Sequence, residues 1–254
     1  MQTIGEIRAI YQAADEFMLP AFIREYESDG RSGVQALVKK AGKDLQALAD
    51  ERARMEKMSE FENKYAQFTC ICGIDEAGRG PLAGPVVAGA VVLDPAEEIL
   101  YLNDSKKLSA AKRDELYDII MEKAISASVG IVDHQVIDEI NILQATYQAM
   151  RKAVAGLTVS PDILLNDAVT IPGMTMKQVA IVKGDARSKS IAAASIIAKV
   201  TRDRIMLEYD KEYPEYGFAG HKGYGAAAHI EAIKKYGPSP IHRRTFIKNF
   251  VDEA

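Results

Sequence analysis

The chain has 254 residues, is 48% hydrophobic and 27% charged, and carries a formal net charge of −4. These values are typical of a globular protein with a sizeable core, and no apolar run reaches the ~18 residues of a membrane-spanning helix. The N-terminus shows no secretory signal pattern. The two cysteines, Cys70 and Cys72, lack partners for a metal site and are expected to be small buried hydrophobes in a reducing cytoplasm.

The charge is unevenly distributed along the chain. Residues 1–68 hold 10 Lys and Arg against 12 Asp and Glu, whereas residues 217–254 hold 6 against 3. An acidic middle beside a basic tail is compatible with a carboxylate site next to a phosphate-binding surface. The simpler interpretation is a basic terminal segment. Candidate phosphate contacts in this tail are His242, Arg243, Arg244 and Lys248.

The first 68 residues are predicted to be all-helical. Thr3 and Glu6 form a capping-box pattern, and Pro20 suits the first turn of a second helix. Ser32 is predicted to cap a third helix, and a long charged helix should follow over residues 43–66. We place the boundary of this helical extension at Phe68 and expect residues 69–254 to form a complete catalytic domain.

From Thr69 onward, β-rich runs alternate with helical patterns. A short Gly/Pro segment between the first two runs predicts a hairpin, and helices between the later strands predict parallel crossovers. The fold class is therefore α/β, a mixed sheet with helices on both faces. The predicted strands cover residues 69–75, 85–93, 125–133, 161–167 and 177–183, and the helices cover 110–124, 142–156, 188–209 and 225–237.

The stretch GIDEAGRGPLAGP, residues 73–85, places Asp75 and Glu76 side by side at a strand end. Successive strand side chains point to opposite faces, so both carboxylates can serve one site only if the strand ends and Glu76 belongs to the turn. Gly78 and Gly80 make such a turn possible. A dinucleotide-binding loop is disfavoured, because it should open a helix and two acids would repel phosphate.

Two further acids stand in similar settings. Asp167 ends a predicted strand and Asp185 precedes a predicted helix, although alone either could be a turn former or a helix cap. If the fold gathers the four acids, each like-charged pair at 4 Å costs about 4 kcal/mol at an effective dielectric of 20. Divalent cations would offset that cost, and all-oxygen ligands suit Mg²⁺ or Mn²⁺. Hydrolysis at phosphorus is the chemistry that fits best.

Two other segments supply possible contacts to a substrate. DSKKLS, residues 104–109, puts Lys106 and Lys107 in a loop before a helix, where the plain alternative is a solvated helix start. HKGYG, residues 221–225, holds Tyr224 between glycines beside cations. A tyrosine so placed can stack on a nucleotide, or it can be an ordinary surface aromatic.

Five separated motifs resemble the ribonuclease HII family over about residues 70–245: GIDEAGRGPLAGPVVAGAVVL, DSKKLS, LLNDAV, KGDARSKSIAAASIIAKVTRD and GYG. The resemblance implies a ribonuclease-H-like fold and metal-dependent cleavage of RNA in RNA–DNA hybrids, including single ribonucleotides embedded in duplex DNA. It implies two Mn²⁺ or Mg²⁺ ions in the site. It implies as catalytic metal ligands Asp75, Glu76, Asp167 and Asp185, and as substrate contacts Gly78, Arg79, Gly80, Lys106 and Tyr224.

The sister family, ribonuclease HIII, usually has Lys in place of Arg in the glycine turn, Glu as the last acid and a β-containing N-terminal domain. Arg79, Asp185 and the helical extension favour ribonuclease HII. The competing hypotheses are an activity restricted to runs of ribonucleotides, a non-catalytic hybrid-binding module and a small-molecule nucleotide enzyme. We expect a cytoplasmic monomer that acts in replication and ribonucleotide excision, with no membrane partner.

Overall fold

The computed structural model describes residues 2–251, which form two compact units that divide between Lys57 and Met58. Among these residues, no helix has both the length and the apolar character needed to span a membrane. The first unit is helical and the second contains the whole sheet.

The first unit consists of α1 (Ile4–Ala13), α2 (Leu19–Tyr26) and α3 (Ser32–Lys57). The predicted capping box is confirmed, because Glu6 N–H donates to Thr3 Oγ1 at 3.2 Å and Thr3 N–H donates to Glu6 Oε2 at 2.7 Å. The predicted break before residue 43 is wrong, since α3 is continuous from Ser32 to Lys57, and the helix predicted over residues 43–66 is instead interrupted at residues 58–59. In α3, the one internal Gly42 costs only about 1 kcal/mol and no proline interrupts the helix. The buried core of this unit is Ile7, Leu19, Phe22, Tyr26, Val34, Leu37 and Ala41.

The second unit is built on a five-stranded mixed sheet, as predicted, in the order β3-β2-β1-β4-β5. The pair β1–β2 is an antiparallel hairpin, and β1, β4 and β5 are parallel. The expected parallel crossover from β2 to β3 is wrong, because Leu93 pairs with Ala124 and the chain re-enters the sheet at the end it left. The strands are β1 (Ile71–Ala77), β2 (Val86–Leu93), β3 (Ala124–Val132), β4 (Ile163–Asp167) and β5 (Lys177–Ile181).

Helices cover both faces of this sheet, which confirms the predicted α/β class. Gly130 of β3 packs so closely on one helix that an added side chain would overlap the Ala149 carbonyl, and Gly89 of β2 would likewise overlap the Ala194 carbonyl. Gly130 pairs with Ala88, the neighbour of Gly89, so the two helices lie on opposite faces. The helices are α5 (Ala110–Lys123), α6 (His134–Ala155), α7 (Lys189–Glu212), α8 (Phe218–His221), α9 (Ala227–Tyr236) and α10 (Arg244–Ile247).

Helix α6 starts earlier than the predicted residue 142. Asp133 caps it, accepting from Val136 N–H at 2.9 Å. Asn141 interrupts it with φ of 67°, and its side chain accepts from Leu143 and Gln144 N–H in the manner of a second cap. The sequence pattern therefore identified only the part of α6 that follows this break.

Residues 58–68, which include α4 (Glu60–Lys64), pack with the sheet. Glu62 Oε1 accepts from Ser188 Oγ at 2.6 Å and from Ser190 N–H at 2.9 Å. Glu62 thereby binds the N-terminal turn of α7, although the sequence placed the boundary of the helical extension at Phe68. The cluster that includes this segment consists of Phe61, Tyr65, Phe68, Ile71, Ile163, Leu165, Val179, Ile181 and Ile191.

Histidines form part of the core near the C-terminus. His229 and His242 are fully buried, and their Nε2 atoms lie 3.0 Å apart. Phe218 packs edge-on against His229, with ring centroids 5.4 Å apart. Burial lowers the pKa of His229 to about 4 and that of His242 to about 3. Both imidazoles are therefore neutral near pH 7.

We propose that the second unit folds without residues 1–57 but not without residues 1–68. Deleting residues 1–57 should leave a single cooperative thermal unfolding transition. Deleting residues 1–68 also removes Phe61, Tyr65, Phe68 and the Glu62 cap. Removing one buried Phe typically costs about 3–5 kcal/mol, and total stability is only about 5–15 kcal/mol. Equal midpoints for the two deletions, measured by circular dichroism, would show that residues 58–68 do not complete the core.

Acid should destabilise the protein through the two buried histidines. Their folded pKa values lie below the unfolded value of 6.5, so their contribution is complete above pH 6.5. It is lost as the pH falls toward 3–4, at up to about 1.4 kcal/mol per histidine per unit.

The measurement is the free energy of unfolding in urea between pH 7 and pH 4. The control is the double variant His229→Asn/His242→Gln, which keeps polar groups at both sites but does not titrate there. Comparing the two proteins cancels the opposite contribution of carboxyls with raised pKa values. A wild-type slope no steeper than that of the double variant would contradict the expectation.

Candidate active site

Asp75 and Asp167 lie at the same level on adjacent strands. Ile74 of β1 pairs with Asn166 of β4 in parallel register, so the following residue of each strand carries a carboxylate at the same end of the sheet. Asp75 is buried and faces α7, where the Ser195 side chain acts to lower the pKa of its carboxyl group. The parallel pairing of β1 with β4 thus juxtaposes acids that are far apart in the sequence.

Glu76 lies inside the strand, so the prediction that it belongs to the turn is wrong. The condition attached to that prediction is wrong as well, because the Glu76 charge still contributes to the raised pKa of Asp75. The β1–β2 pairing continues through Glu76 opposite Ala88 to Ala77 opposite Val87, because Ala77 is compatible with a regular strand. Glu76 Oε1 accepts from Arg79 Nη1 at 3.4 Å. Its Oε2 is buried and has no hydrogen-bond partner among the described residues, which leaves a buried acceptor unsatisfied.

Asp185 lies in the 3-10 turn Gly184–Ala186 between β5 and α7, and it is 7% exposed. Asp167 Oδ1 accepts from the Gly184 N–H at 2.7 Å, which ties this turn to β4. The alternative that Asp185 caps α7 is excluded, because Ser188 is the cap and accepts from Ile191 N–H at 3.2 Å. The Asp185 carboxylate is therefore not used by the helix that follows it.

The four carboxyl groups interact electrostatically. Burial, followed by the charges of Glu76 and Asp167, raises the pKa of Asp75 well above its usual value. Burial and Asp167 also raise the pKa of Glu76, although Arg79 opposes the shift. Burial, then Asp104 and Asp167, raises the pKa of Asp185. Asp167 is thus the carboxylate whose charge raises the pKa of all three of the others.

Within residues 2–251, no three His, Cys, Asp or Glu side chains are arranged so that they could hold a metal ion. Asp75 Oδ1 accepts from the backbone N–H of Glu76 at 2.7 Å, just as Asp167 Oδ1 accepts from Gly184. Two of the four carboxylates thus have one oxygen bound to the backbone.

A cavity of about 540 Å³ joins Glu76 to the five substrate contacts that the family resemblance implies. The sequence missed four of its polar or charged lining residues, namely Ser105, Arg113, Ser195 and Lys199. The five predicted contacts in its lining are Gly78, Arg79, Gly80, Lys106 and Tyr224.

Two buried arginines shape the loop that follows β1. Arg243 donates to the carbonyls of Gly78 at 2.6 Å and Arg79 at 2.9 Å, and Arg202 donates to those of Pro85 at 2.9 Å and Ala83 at 3.1 Å. Both are fully buried. Burial lowers the pKa of Arg243 to about 9, so it remains charged at pH 7.

Two of the four phosphate contacts predicted in the C-terminal tail, His242 and Arg243, are wrong. His242 and Arg243 are 1% and 0% exposed, so neither can touch a phosphate. Both are used inside the protein because buried polar groups need hydrogen-bond partners. Their spacing in the sequence resembles that of a basic surface segment, and sequence reasoning had no means of separating the two cases.

Tyr224 stands beside the glycine turn. Its ring is 43% exposed, and a side-chain carbon added at Gly80 would lie 3.9 Å from Tyr224 Cε1. The Arg202 guanidinium lies 5.7 Å from the ring centroid, close enough for a cation–π contact. Gly78 has φ of 95°, and any side chain there would overlap Arg202. The turn and the exposed ring therefore form adjoining parts of one surface.

Sequence reasoning also missed residues that support the acids. Ser195 acts to lower the pKa of Asp75 and lies 2.9 Å, Oγ to Oγ, from Ser105. Burial and then the charge of Asp104 raise the pKa of Asp185. The available signal for Ser195 was a polar residue inside the otherwise apolar run IAAASIIA, and Asp104 belongs to the DSKKLS motif itself.

Comparison with known proteins gives matches over both units. A family model described as Ribonuclease HII matches residues 72–249, and one described as Ribonuclease HII N-terminal domain matches residues 3–66. The Ribonuclease HII of Lachnoclostridium phytofermentans is 60% identical over 225 residues, 89% of each chain. That of Clostridioides difficile is 52% identical over 252 residues, covering 98% of this chain and 99% of its own.

Solved structures agree with these matches. The crystal structure of ribonuclease H2 from Pyrococcus horikoshii OT3 superposes with a TM-score of 0.57 at 30% identity. The match covers 70% of this chain and 93% of that one. Because the family model spans most of the sheet-containing unit and relatives are more than half identical over nearly their whole length, the chain belongs to the ribonuclease HII family of endoribonucleases.

Proposed function

We propose that this chain cleaves the RNA strand of RNA–DNA hybrids and also incises duplex DNA on the 5′ side of a single embedded ribonucleotide. The products would carry 3′-hydroxyl and 5′-phosphate ends. The observation that carries the proposal is the cavity in which Glu76, itself next to Asp75, adjoins the glycine turn and Tyr224. An acidic group and a nucleotide-binding surface thus share one space.

The donor chemistry of the carboxyl groups suits divalent cations, although no three of the side chains in residues 2–251 are arranged to hold one in this structure. The available donor atoms are oxygens of Asp75, Glu76, Asp167 and Asp185, which suit Mn²⁺ or Mg²⁺ and suit zinc poorly. The buried, unpartnered Oε2 of Glu76 is an acceptor that a cation would satisfy. When bound, two divalent cations would acidify the attacking water and offset the charge on the leaving 3′ oxygen. The mutual repulsion that raises the pKa values would then be relieved.

Lys106 supplies a fixed positive charge beside these acids. Burial lowers the pKa of Lys106, but the charges of Asp104, Asp75, Asp185 and Asp167 together raise it by more, so that the net shift is upward. The ammonium group lines the cavity together with Glu76. We assign Lys106 to the non-bridging oxygens of a phosphate near the scissile bond, where an always-charged donor adds attraction and orientation.

The glycine turn would present hydrogen-bond donors to the substrate. Arg243 occupies the carbonyls of Gly78 and Arg79. Within residues 2–251, the N–H groups of Arg79 and Gly80 have no acceptor. Fixed donors at a position without side-chain bulk can approach a sugar or phosphate oxygen closely. We assign them to the 2′-hydroxyl and the adjacent phosphate of the ribonucleotide.

Tyr224 would read the nucleotide on the 3′ side. Its exposed ring lies next to Gly80, so it would pack against the sugar that follows the ribonucleotide bound at the turn. A 2′-hydroxyl on that next sugar would crowd the ring, whereas a deoxyribose would not. This arrangement favours cleavage at an RNA-to-DNA junction, because only the 2′-hydroxyl distinguishes the two sugars.

Replacing Asp75 by Asn should abolish cleavage without unfolding the protein. Asn keeps an oxygen that can accept from the Glu76 N–H but removes a ligand charge, and loss of like-charge repulsion should maintain or raise the melting temperature without metal. Wild-type protein should be stabilised by about 2.7 kcal/mol when Mn²⁺ reaches 100 times its dissociation constant. The Asn variant should lose most of that stabilisation, measured by differential scanning fluorimetry.

The matched control is Asp162→Asn. Asp162 is an exposed acid that precedes the other end of β4 and accepts from Cys70 N–H at 3.0 Å. This variant should keep both cleavage and the Mn²⁺ shift. Full cleavage by Asp75→Asn at saturating Mn²⁺ would remove Asp75 from the site.

Product mapping should show a single cut 5′ to the ribonucleotide when a duplex carries one ribonucleotide, and cuts within the run when it carries four. Tyr224→Ala should lose about 1–3 kcal/mol of stacking and impair the single-ribonucleotide substrate more than the run. Gly80→Val should impair both substrates, because its side chain would meet the Tyr224 ring and block approach. Tyr224→Phe, which keeps the ring, is the matched control and should retain the preference.

The informative quantity is the ratio of kcat/KM for the single ribonucleotide to that for the run. If wild-type protein cuts only the run, the junction-reading role of the turn and Tyr224 is wrong. The activity restricted to runs of ribonucleotides is then the better description.

A further inference from the structure

A chain of hydrogen bonds runs through buried histidines behind the proposed substrate surface. The N–H of Ser239 donates to His242 Nδ1 at 2.9 Å, so that nitrogen carries no proton. The His242 proton is therefore on Nε2, which donates to His229 Nε2 at 3.0 Å. His229 must then carry its proton on Nδ1, which donates to the Tyr224 carbonyl at 2.8 Å. Both tautomers are fixed by their neighbours.

Hydrogen bonds from the protein interior also fix the backbone of residues 222–224, which presents the Tyr224 ring. Arg202 donates to the Lys222 carbonyl at 3.0 Å, Leu82 N–H donates to the Gly223 carbonyl at 2.8 Å, and His229 donates to that of Tyr224. The backbone carbonyls of three successive residues thus each accept a hydrogen bond from a group behind the segment. The exposed ring of Tyr224 stands on a backbone whose position is determined from behind.

The other end of the chain is joined to the glycine turn. His242 forms an isolated bridge with Ala83, and Arg243 N–H donates to the Leu82 carbonyl at 2.9 Å. The Arg243 side chain donates in turn to the carbonyls of Gly78 and Arg79. The histidine pair therefore connects the two surfaces that adjoin in the cavity, the turn and the tyrosine ring.

We propose that His229, oriented by His242, is a positioning residue that sets the distance between Tyr224 and the glycine turn and thereby determines the preference for single ribonucleotides. The proposal rests on the proposed function, since it acts through Tyr224. A purely structural role would change stability and would affect both substrates equally. A positioning role changes the ratio between them.

Two substitutions of similar chemistry separate these roles. The side-chain nitrogen of Asn occupies roughly the position of imidazole Nδ1, whereas that of Gln corresponds to Nε2. His229→Asn can therefore still donate to the Tyr224 carbonyl, and His229→Gln cannot do so from the same backbone position. Both lose the imidazole ring, so their losses of packing are comparable.

The first measurement is the ratio of kcat/KM for a duplex with one ribonucleotide to that for a duplex with four. His229→Gln should lower the ratio by about tenfold, the equivalent of 1.4 kcal/mol, and His229→Asn should keep it within about twofold of wild type, or 0.4 kcal/mol. In a Tyr224→Ala background, His229→Gln should change the ratio no further, because the residue acts through the ring.

The second measurement does not depend on activity. The chain contains no tryptophan, so Tyr224→Trp places a single fluorophore at the ring position. Its anisotropy should fall when His229→Gln is added and should remain unchanged with His229→Asn. If His229→Gln does not fold, the pair His242→Gln and His242→Asn tests the same chain one step further back, with Gln keeping the Nε2 donor.

Failure of the proposed role of His229 can be distinguished from failure of the proposed role of Tyr224. If Tyr224→Ala leaves the substrate ratio unchanged, the proposed role of Tyr224 is refuted, and the role of His229 is refuted with it. If Tyr224→Ala lowers the ratio but His229→Gln does not, only the positioning role of His229 is refuted. Equal loss on both substrates in His229→Gln would likewise assign His229 to stability alone.

Discussion

The close packing of α7 against glycines of β1 and β2 is the constraint on which the site depends. A side-chain carbon at Gly73 would overlap the backbone of Ser190, and one at Gly89 would overlap the Ala194 carbonyl. Asp75 lies on the same face of β1 as Gly73, and this close approach of α7 brings its carboxyl group near Ser195. The turn that carries Asp185 leads directly into α7, so the contact that brings α7 onto the sheet also fixes where Asp185 lies. A larger residue at Gly73 or Gly89 would therefore displace both α7 and Asp185.

The site combines two kinds of buried charge that are costly by themselves. Burial, and after it the repulsion between carboxyl groups, raises the pKa of Asp75, Glu76 and Asp185. The guanidiniums of Arg202 and Arg243 are buried against backbone carbonyls. A buried charge survives only when its hydrogen bonds are satisfied. The arginines satisfy theirs within the protein and hold a loop in place, whereas the carboxylates leave Glu76 Oε2 unsatisfied. The arginines therefore have a structural role, and we propose that the carboxylates bind a ligand.

The sequence predicted the mixed sheet because strand alternation is a local pattern. It also selected the four acids because acids at strand ends form a local pattern, and their role as metal ligands stays a prediction. It failed where the deciding contact is distant. Glu76 was placed in the turn because local reasoning could not show that pairing with Ala88 prolongs the strand. Arg243 was placed on the surface because nothing nearby in the sequence reveals the carbonyls that receive it. The packing of Phe61 with Ile163 was equally invisible. Asp104 stood within a quoted motif but was overlooked beside its lysines.

We propose that the four carboxylates bind divalent cations at the end of the sheet. The most direct test is anomalous diffraction at the manganese edge from crystals soaked in MnCl₂ with a hybrid substrate analogue. We expect anomalous density among the carboxylates of Asp75, Glu76, Asp167 and Asp185, and we expect it to disappear in crystals of Asp75→Asn. Anomalous density only elsewhere, in protein that cleaves hybrid at the same Mn²⁺ concentration, would contradict the proposal.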